Sequence, residues 1–405
     1  MTARFRREKR DPLARAVERH VPPGLRSRAM RAMSARAGQG HFALQRCLEC
    51  RAVTYPPRDI CPHCWSELAW EDQARGAVVL SETTIRVTTD LYFRDHLPWR
   101  MGKVALDAGP VALAHLHAGL KAGDRAEMKL VLDKGGNAAL FAAPAAGDPA
   151  MPADVQGREF VVPVKDRTVL VSDGRNAVGR ALVEALTAAG AGCVVAGLPP
   201  PARPADAKGE QFPAPMVRSV PLDLTDSRSV SECFARLGGP LDIVVNTARF
   251  VRPGGISRSA NLIDQKKAFD IGALGFSRLA QAAAPLLVRR PCGAFVDILS
   301  VHGLAPDAGF AGLSASEAAR YSLLQSFRHE MRAAGVRVSA IFAGPTDDED
   351  HQSVPLPKVA PARLAGELIK LLEAGQEQRC VGDFAVDAMD RWLDDPALYS
   401  REKNV

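Results

Sequence analysis

Four cysteines in two close pairs, Cys47-Leu48-Glu49-Cys50 and Cys61-Pro62-His63-Cys64, are the residues of this chain best suited to chemistry. Each CxxC puts two thiolates on one tight turn, and two facing turns complete a tetrahedral shell for Zn²⁺. A redox CxxC pair is the rival reading. Four thiolates leave no open position for water or substrate, so a metal held by Cys47, Cys50, Cys61 and Cys64 is structural. His63, between two ligands, reads as a surface residue rather than a fifth donor. The remaining cysteines, Cys193, Cys233, Cys292 and Cys380, are scattered, which favours reduced thiols over a disulfide framework.

A second set of positions lies in the other half. Val169-Leu170-Val171-Ser172-Asp173-Gly174-Arg175-Asn176-Ala177-Val178-Gly179 ends a strand and opens a helix, where a dinucleotide fold places its glycine turn. Asp223, Asn246-Thr247-Ala248, Ser300 and Gly344 follow in order, each after an apolar run. The series resembles the short-chain dehydrogenase/reductase family over about residues 165–392. The departures from that family carry more information than the matches. In the turn, Asp173 and Ala177 replace two glycines and Gly179 alone remains. A carboxylate at this entrance repels a pyrophosphate. Gly197 stands where the family has an acidic residue for the ribose. Of the four groups the resemblance implies for catalysis, Ser300 survives; Leu313 takes the tyrosine position, Glu317 the lysine and Gly272 the asparagine. Leucine cannot donate a proton, and glutamate would raise rather than lower a neighbouring tyrosine pKa. Catalytic residues are therefore not expected in this half, nor is NAD(P). Tyr321 has Gln325 four residues on, and the YxxxK at Tyr399 and Lys403 lies beyond the last element of the sheet. His302 reads as a loop residue, and no GxSxG supports a hydrolase.

The cysteine block has its own likeness. Gln45-Arg46 before the first pair, Tyr55-Pro56-Pro57-Arg58 between the pairs and a small barrel beginning near Gly76 resemble the zinc-ribbon and OB-fold family of acyl-CoA-associated proteins. That resemblance covers about residues 25–142. It implies a non-catalytic partner of a thiolase-fold enzyme, with a coenzyme A thioester as ligand of the complex.

The elements that position these residues follow from periodicity. Short strands are expected at 77–80, 84–87, 104–106, 111–114 and 128–132, with Gly and Asp between them, as in a small antiparallel barrel. From Arg167 apolar runs at 168–171, 193–196, 242–245, 294–299 and 336–342 alternate with helical periods at 178–188 and 317–331, the pattern of a doubly wound parallel sheet. The expected fold is α/β: a Rossmann-type sheet preceded by a rubredoxin-like zinc ribbon and an OB-fold barrel. The expected divisions are a basic helical arm (1–40), the ribbon (41–75), the barrel (76–142), an Ala/Pro/Gly-rich linker (143–160) and the dehydrogenase-like domain (161–395).

Charge is uneven. Residues 1–36 hold ten Arg and one Lys against three acids, a net of +8 within a chain total of +6. Such an arm suits a solvated, partly helical tail, a nucleic acid, a phosphorylated cofactor such as coenzyme A, or an acidic partner surface. No apolar run is long enough to span a membrane and no secretory signal opens the chain, so the cytoplasm is expected. The favoured function is an accessory subunit of a thiolase-type acyl-CoA complex. Its zinc-ribbon/OB module would complete the acyl-CoA site, and its dehydrogenase-like half would form homodimers or heterodimers through helices near 262–288 and 314–333. By resemblance, the setting is β-oxidation-like degradation of an aryl- or ring-containing acyl-CoA. An active NAD(P)-dependent oxidoreductase on a hydroxyacyl-CoA is the alternative. A nucleic-acid-binding OB-fold is third, disfavoured because the barrel strands carry few aromatic stacking residues.

Overall fold

A computed structural model describes residues 20–145, 151–200, 212, 214–257 and 261–404. Most of the basic arm (1–19) lies outside these residues. Helix α1 (Arg28–Gln39) starts where Ser27 caps the Met30 amide and ends at Gly40, whose φ of 88° suits glycine. Three antiparallel strands follow in the order β2-β1-β3: β1 (Ala43–Cys47), β2 (Val53–Thr54) and β3 (Leu68–Asp72).

A closed five-stranded barrel comes next: β4 (Gly76–Ile85), β5 (Trp99–Leu106), β6 (Val111–Leu116), β7 (Arg125–Leu132) and β8 (Ala138–Pro144) in the order β4-β5-β6-β8-β7, with a short helix α2 (Leu91–Asp95) between β4 and β5. The pairs are antiparallel except β6 with β8, which close the barrel in parallel. Alternation buries Ala112, Ala114 and Leu116 of β6 and leaves Val111 and Leu113 outside. The two runs expected at 77–80 and 84–87 form one strand, with a bulge between Val79 and Ser81. Strand β8 was not expected, because its Ala-Ala-Leu-Phe-Ala-Ala-Pro run lacks β-branched residues.

The segment expected as a linker is, in its described part, packed structure. Gln156 bonds both main-chain groups of Arg100 at 2.8 Å, and Asp154 accepts from the Ala118 and Gly157 amides. Phe160, Val161 and Val162 are buried, with Phe160 against Trp99, His115 and Phe141. Composition hid this because a few side-chain bonds and apolar residues, rather than periodicity, hold the segment.

The dehydrogenase-like half is a seven-stranded parallel sheet in the order β11-β10-β9-β12-β13-β14-β15: β9 (Thr168–Val171), β10 (Cys193–Leu198), β11 (Val217–Pro221), β12 (Ile243–Asn246), β13 (Ala294–Ser300), β14 (Arg337–Ala343) and β15 (Gln378–Val381). Helices α3 (Ala177–Ala188) and α8 (Pro361–Glu373) cover one face. On the other lie α4 (Ser227–Arg236), α5 (Ile263–Phe269), α6 (Gly275–Leu287), α7 (Ala311–Arg332) and α9 (Asp383–Asp394), with α10 (Pro396–Glu402) closing the fold. Strand order reverses between β9 and β12, the switch point outside whose carboxyl ends such sheets bind ligands. Among the described residues no helix is long and apolar enough to cross a membrane.

The two halves meet through a buried cation. Arg337 donates to the carbonyls of Gly375 (2.8 Å), Leu132 (3.1 Å) and Phe160 (3.1 Å), tying sheet, barrel and connecting segment together. The Glu377 amide bonds the Gly38 carbonyl at 2.8 Å beside it.

One buried group makes the barrel sensitive to acid. The Trp99 indole donates to His115 Nδ1 at 2.9 Å, which requires a neutral imidazole, and burial lowers the His115 pKa to about 4 from 6.5. The folded pKa lies below the unfolded one, so this contribution is complete above 6.5 and is lost as pH falls from 6.5 to 4. The expected loss of stability across that window is about 3 kcal/mol. Urea unfolding at pH 7 and pH 4.5 measures it; an equal pH dependence in His115→Asn would show that another group is responsible.

Candidate functional site

Two places hold the residues singled out by sequence. In the first, the four cysteine sulfurs all lie within 4.8 Å of one another, with Cys47 to Cys64 at 3.4 Å and Cys50 to Cys61 at 3.7 Å. Zn–S bonds of about 2.3 Å imply sulfur separations of roughly 3.8 Å around a tetrahedron, so the donor set fits Zn²⁺. Cys47 and Cys61 are buried and Cys50 and Cys64 exposed, so one thiolate of each turn faces the protein. The amides of Cys64 and His63 pull the Cys61 thiol below its usual range. Arg51 and Trp65, each directly after the second cysteine of a pair, have φ of 60° and 65°. These left-handed positions favour glycine, and the chain closes its turns without it.

The second place is the crevice at the switch point. Asp173 accepts the Arg175 amide at 2.8 Å and the Asn176 amide at 3.3 Å, so the loop donors are taken by the protein's own carboxylate. Asn176 caps α3 through the Gly179 amide at 2.7 Å. Thr247 bonds the Asp173 amide and carbonyl at 3.0 and 2.9 Å, stitching the ends of β9 and β12 together. Gly179 has a packing reason to persist: a Cβ there would lie 1.8 Å from the Asp173 carbonyl. At Gly197 a Cβ would sit 2.5 Å from the Ser172 carbonyl, which leaves no room for an acidic side chain. The Phe212 ring lies 3.5 Å from where a Gly174 Cβ would be.

At the catalytic positions, Leu313 and Glu317 are buried on α7. Glu317 accepts the Ser300 amide at 2.7 Å and pairs with Arg320 at 3.0 Å. Arg320 is fully buried and also binds Asp297 at 2.9 and 2.7 Å, and Asp297 accepts from Asn246, which accepts from Ser172. Burial opposes its charge, but Asp297 and Glu317 outweigh that and raise its pKa. Glu317 is itself pushed up by burial, with Arg320 opposing. Sequence reading missed Arg320. The sole hint was its helical spacing of three residues from Glu317.

Ser300 accepts the His302 amide at 3.2 Å and so caps the turn that follows β13. Gly272 sits in a π-helical turn (Asp270–Leu274), where a Cβ would lie 2.2 Å from Ser316 Oγ. Buried His302 has its pKa lowered to about 4, by burial first and Lys403 second. Tyr321 bonds Gln325 at 2.9 Å, and Tyr399 is buried beneath Arg391. Among the described residues, none of these three side chains hydrogen-bonds the Ser300 hydroxyl, which bonds the His302 amide instead. Near the crevice, Arg249 binds Thr346 at 2.6 Å and Asp348 at 2.8 Å. Burial opposes the Asp348 charge, yet His351, Thr346 and Arg249 bring its pKa to about 2.

Residues 167–355 match the family described as short chain dehydrogenase, and residues 34–71 match the ChsH2 rubredoxin-like zinc ribbon domain. An uncharacterized oxidoreductase of Myxococcus xanthus is 31% identical over 183 residues, 44% of this chain and 71% of its own. The chain belongs to the short-chain dehydrogenase family. An uncharacterized oxidoreductase of Staphylococcus epidermidis is 27% identical over 192 residues, covering 45% of this chain and 80% of that protein. A short chain dehydrogenase from Burkholderia cenocepacia, solved in complex with NADP, shares the fold at a TM-score of 0.55 and 23% identity over 60% of this chain and 99% of its own. One from Streptomyces avermitilis does so at 0.51 and 23%, over 59% and 96%.

Proposed function

We propose that this protein is a non-catalytic accessory subunit of a thiolase-type acyl-CoA complex, in which the zinc-ribbon module helps wall the acyl-CoA site and the dehydrogenase-like half serves assembly. The observation that carries the reading is the Glu317–Arg320 pair, which fills the place of the catalytic lysine with a buried ion pair. The barrel order, with β6 and β8 parallel, supports reading that module as an OB-fold. Pairing through the long helices is supported by Leu262, Ile263 and Leu274, all more than half exposed. By resemblance, the acyl group carries an aryl or other ring and the setting is β-oxidation-like.

A second reading, an active NAD(P)-dependent oxidoreductase, draws on the NADP complex of the Burkholderia protein. Against it stand the occupied loop amides and Leu313.

Mixed with a partner thiolase-fold enzyme, the protein is expected to co-purify with it and raise its thiolytic activity at least tenfold. Size-exclusion chromatography and thioester cleavage assays measure this. A thiolase equally active without the protein would overturn the reading.

A further inference from the structure

Between the two cysteine turns and the β5–β6 hairpin lies a cleft of about 510 Å³, in the size range of small-molecule sites. Arg46, Arg51, Arg58 and His63 line it, and no carboxylate does. Glu71 lies 2.7 Å from Arg46 and 3.7 Å from Arg51, so three arginines face one neighbouring acid. The Arg58 guanidinium makes no hydrogen bond or ion pair among the described residues. Its main chain, by contrast, is fixed: Arg58 N donates to Gln45 Oε1 at 2.7 Å and its carbonyl accepts Gln45 Nε2 at 2.8 Å. Its exposed, unpaired guanidinium is free to meet an anion, at the cost of ordering one long side chain. Thr54, buried in the same lining, has a hydroxyl without a partner. Tyr55, Pro62 and Pro110 add apolar surface to the lining.

We propose that this cleft binds a phosphorylated nucleotide, its phosphates on Arg51 and Arg58 and its ring against the Tyr55 side. Three arginines with no acid in the lining select a multiply charged anion. The apolar surface selects a ring over a bare ion. Another cleft, about 320 Å³, mixes Glu127 and Glu373 with its basic groups and lacks this excess. The site rests on the cleft alone and does not require the thiolase reading. A 3′-phosphorylated nucleotide of the coenzyme A type and a plain 5′-diphosphate share the chemistry.

Calorimetry on the zinc-loaded full chain tests it with adenosine 3′,5′-bisphosphate, ADP, inorganic phosphate and a single-stranded oligonucleotide. One saturable site for a nucleotide is expected, weakening as salt rises and at least tenfold weaker in Arg58→Ser and Arg51→Gly. Arg51→Gly removes the cation while relieving a left-handed backbone, so loss of binding there is not loss of fold. Neutralising Arg4, Arg6, Arg7 and Lys9 should leave the affinity in place. Preference for the bisphosphate points to a coenzyme A type of ligand, preference for ADP to a free nucleotide, and either supports the site. No saturation, unchanged affinity in both arginine variants, tighter binding of the oligonucleotide, or dependence on the arm would overturn it. The partner experiment with a thiolase can fail without touching this result.

Discussion

Titrated with NADH or NADPH, full-length protein carrying Arg58→Ser, which removes nucleotide binding in the ribbon cleft, is expected to show no saturable fluorescence change from the sheet's crevice, and the double replacement Leu313→Tyr with Glu317→Lys is expected to lose stability without gaining turnover. Glu317 is the sole carboxylate bonded to both the Ser300 amide and Arg320 among the described residues. A lysine in its place would put a second cation beside a fully buried guanidinium and leave the Ser300 amide without its acceptor. Breaking a buried ion pair from one side costs about 3–5 kcal/mol, more than one tyrosine hydroxyl can return. The upstream lesions would also remain: Asp173 still holds the loop amides, and asparagine at Gly272 would collide with Ser316. Chemical denaturation reads the stability, and nicotinamide absorbance with hydroxyacyl-CoA substrates reads the turnover. A double variant as stable as the parent, or hydride transfer by either protein, would show that the crevice retains more dehydrogenase character than its contacts imply.

Much of this was legible in the sequence because it rests on local spacing. The cysteine turns, the glycine turn and the apolar runs at 168–171 and 294–299 are short-range signals that a parallel sheet preserves as near-continuous hydrophobic stretches. What sequence could not show is which side chains cross between elements. Asp173 looked like a charge repelling a phosphate; in the fold it is an internal acceptor for two loop amides. Glu317 looked like a wrong-signed catalytic group; it is half of an ion pair whose other half, Arg320, also reaches Asp297 on β13. Edge strands β11 and β15 carry too few buried apolar residues to be read from periodicity. Arg337 lies inside the expected run 336–342 and gave no sign of its role, because its three carbonyl partners lie as far as 205 positions away in sequence.

Stripping the metal is expected to have the largest effect on the N-terminal half, and to have it unevenly. Structural zinc in small ribbons contributes about 10–16 kcal/mol of apparent binding energy that is also folding energy. Here the ribbon is not isolated: Phe42 and Leu44, at the base of its sheet, are buried in the barrel core with Val79, Val104 and Leu116. That contact does not depend on a metal. Chelation should therefore loosen residues 48–66 while β1 and the barrel stay folded, and Cys47→Ser or Cys61→Ser should do the same with a buried, under-bonded hydroxyl added. Elemental analysis is expected to find one Zn²⁺ per chain, and limited trypsin digestion should show new cleavage at Arg51 and Arg58 in the metal-free protein, with the dehydrogenase-like half still protected. Freshly purified protein without zinc, or arginines equally protected with and without it, would mean the four thiols hold the turns by themselves. If the turns do loosen, Arg51 and Arg58 lose their fixed positions together, so nucleotide binding in the adjoining cleft should vanish with the metal and return on adding Zn²⁺ back.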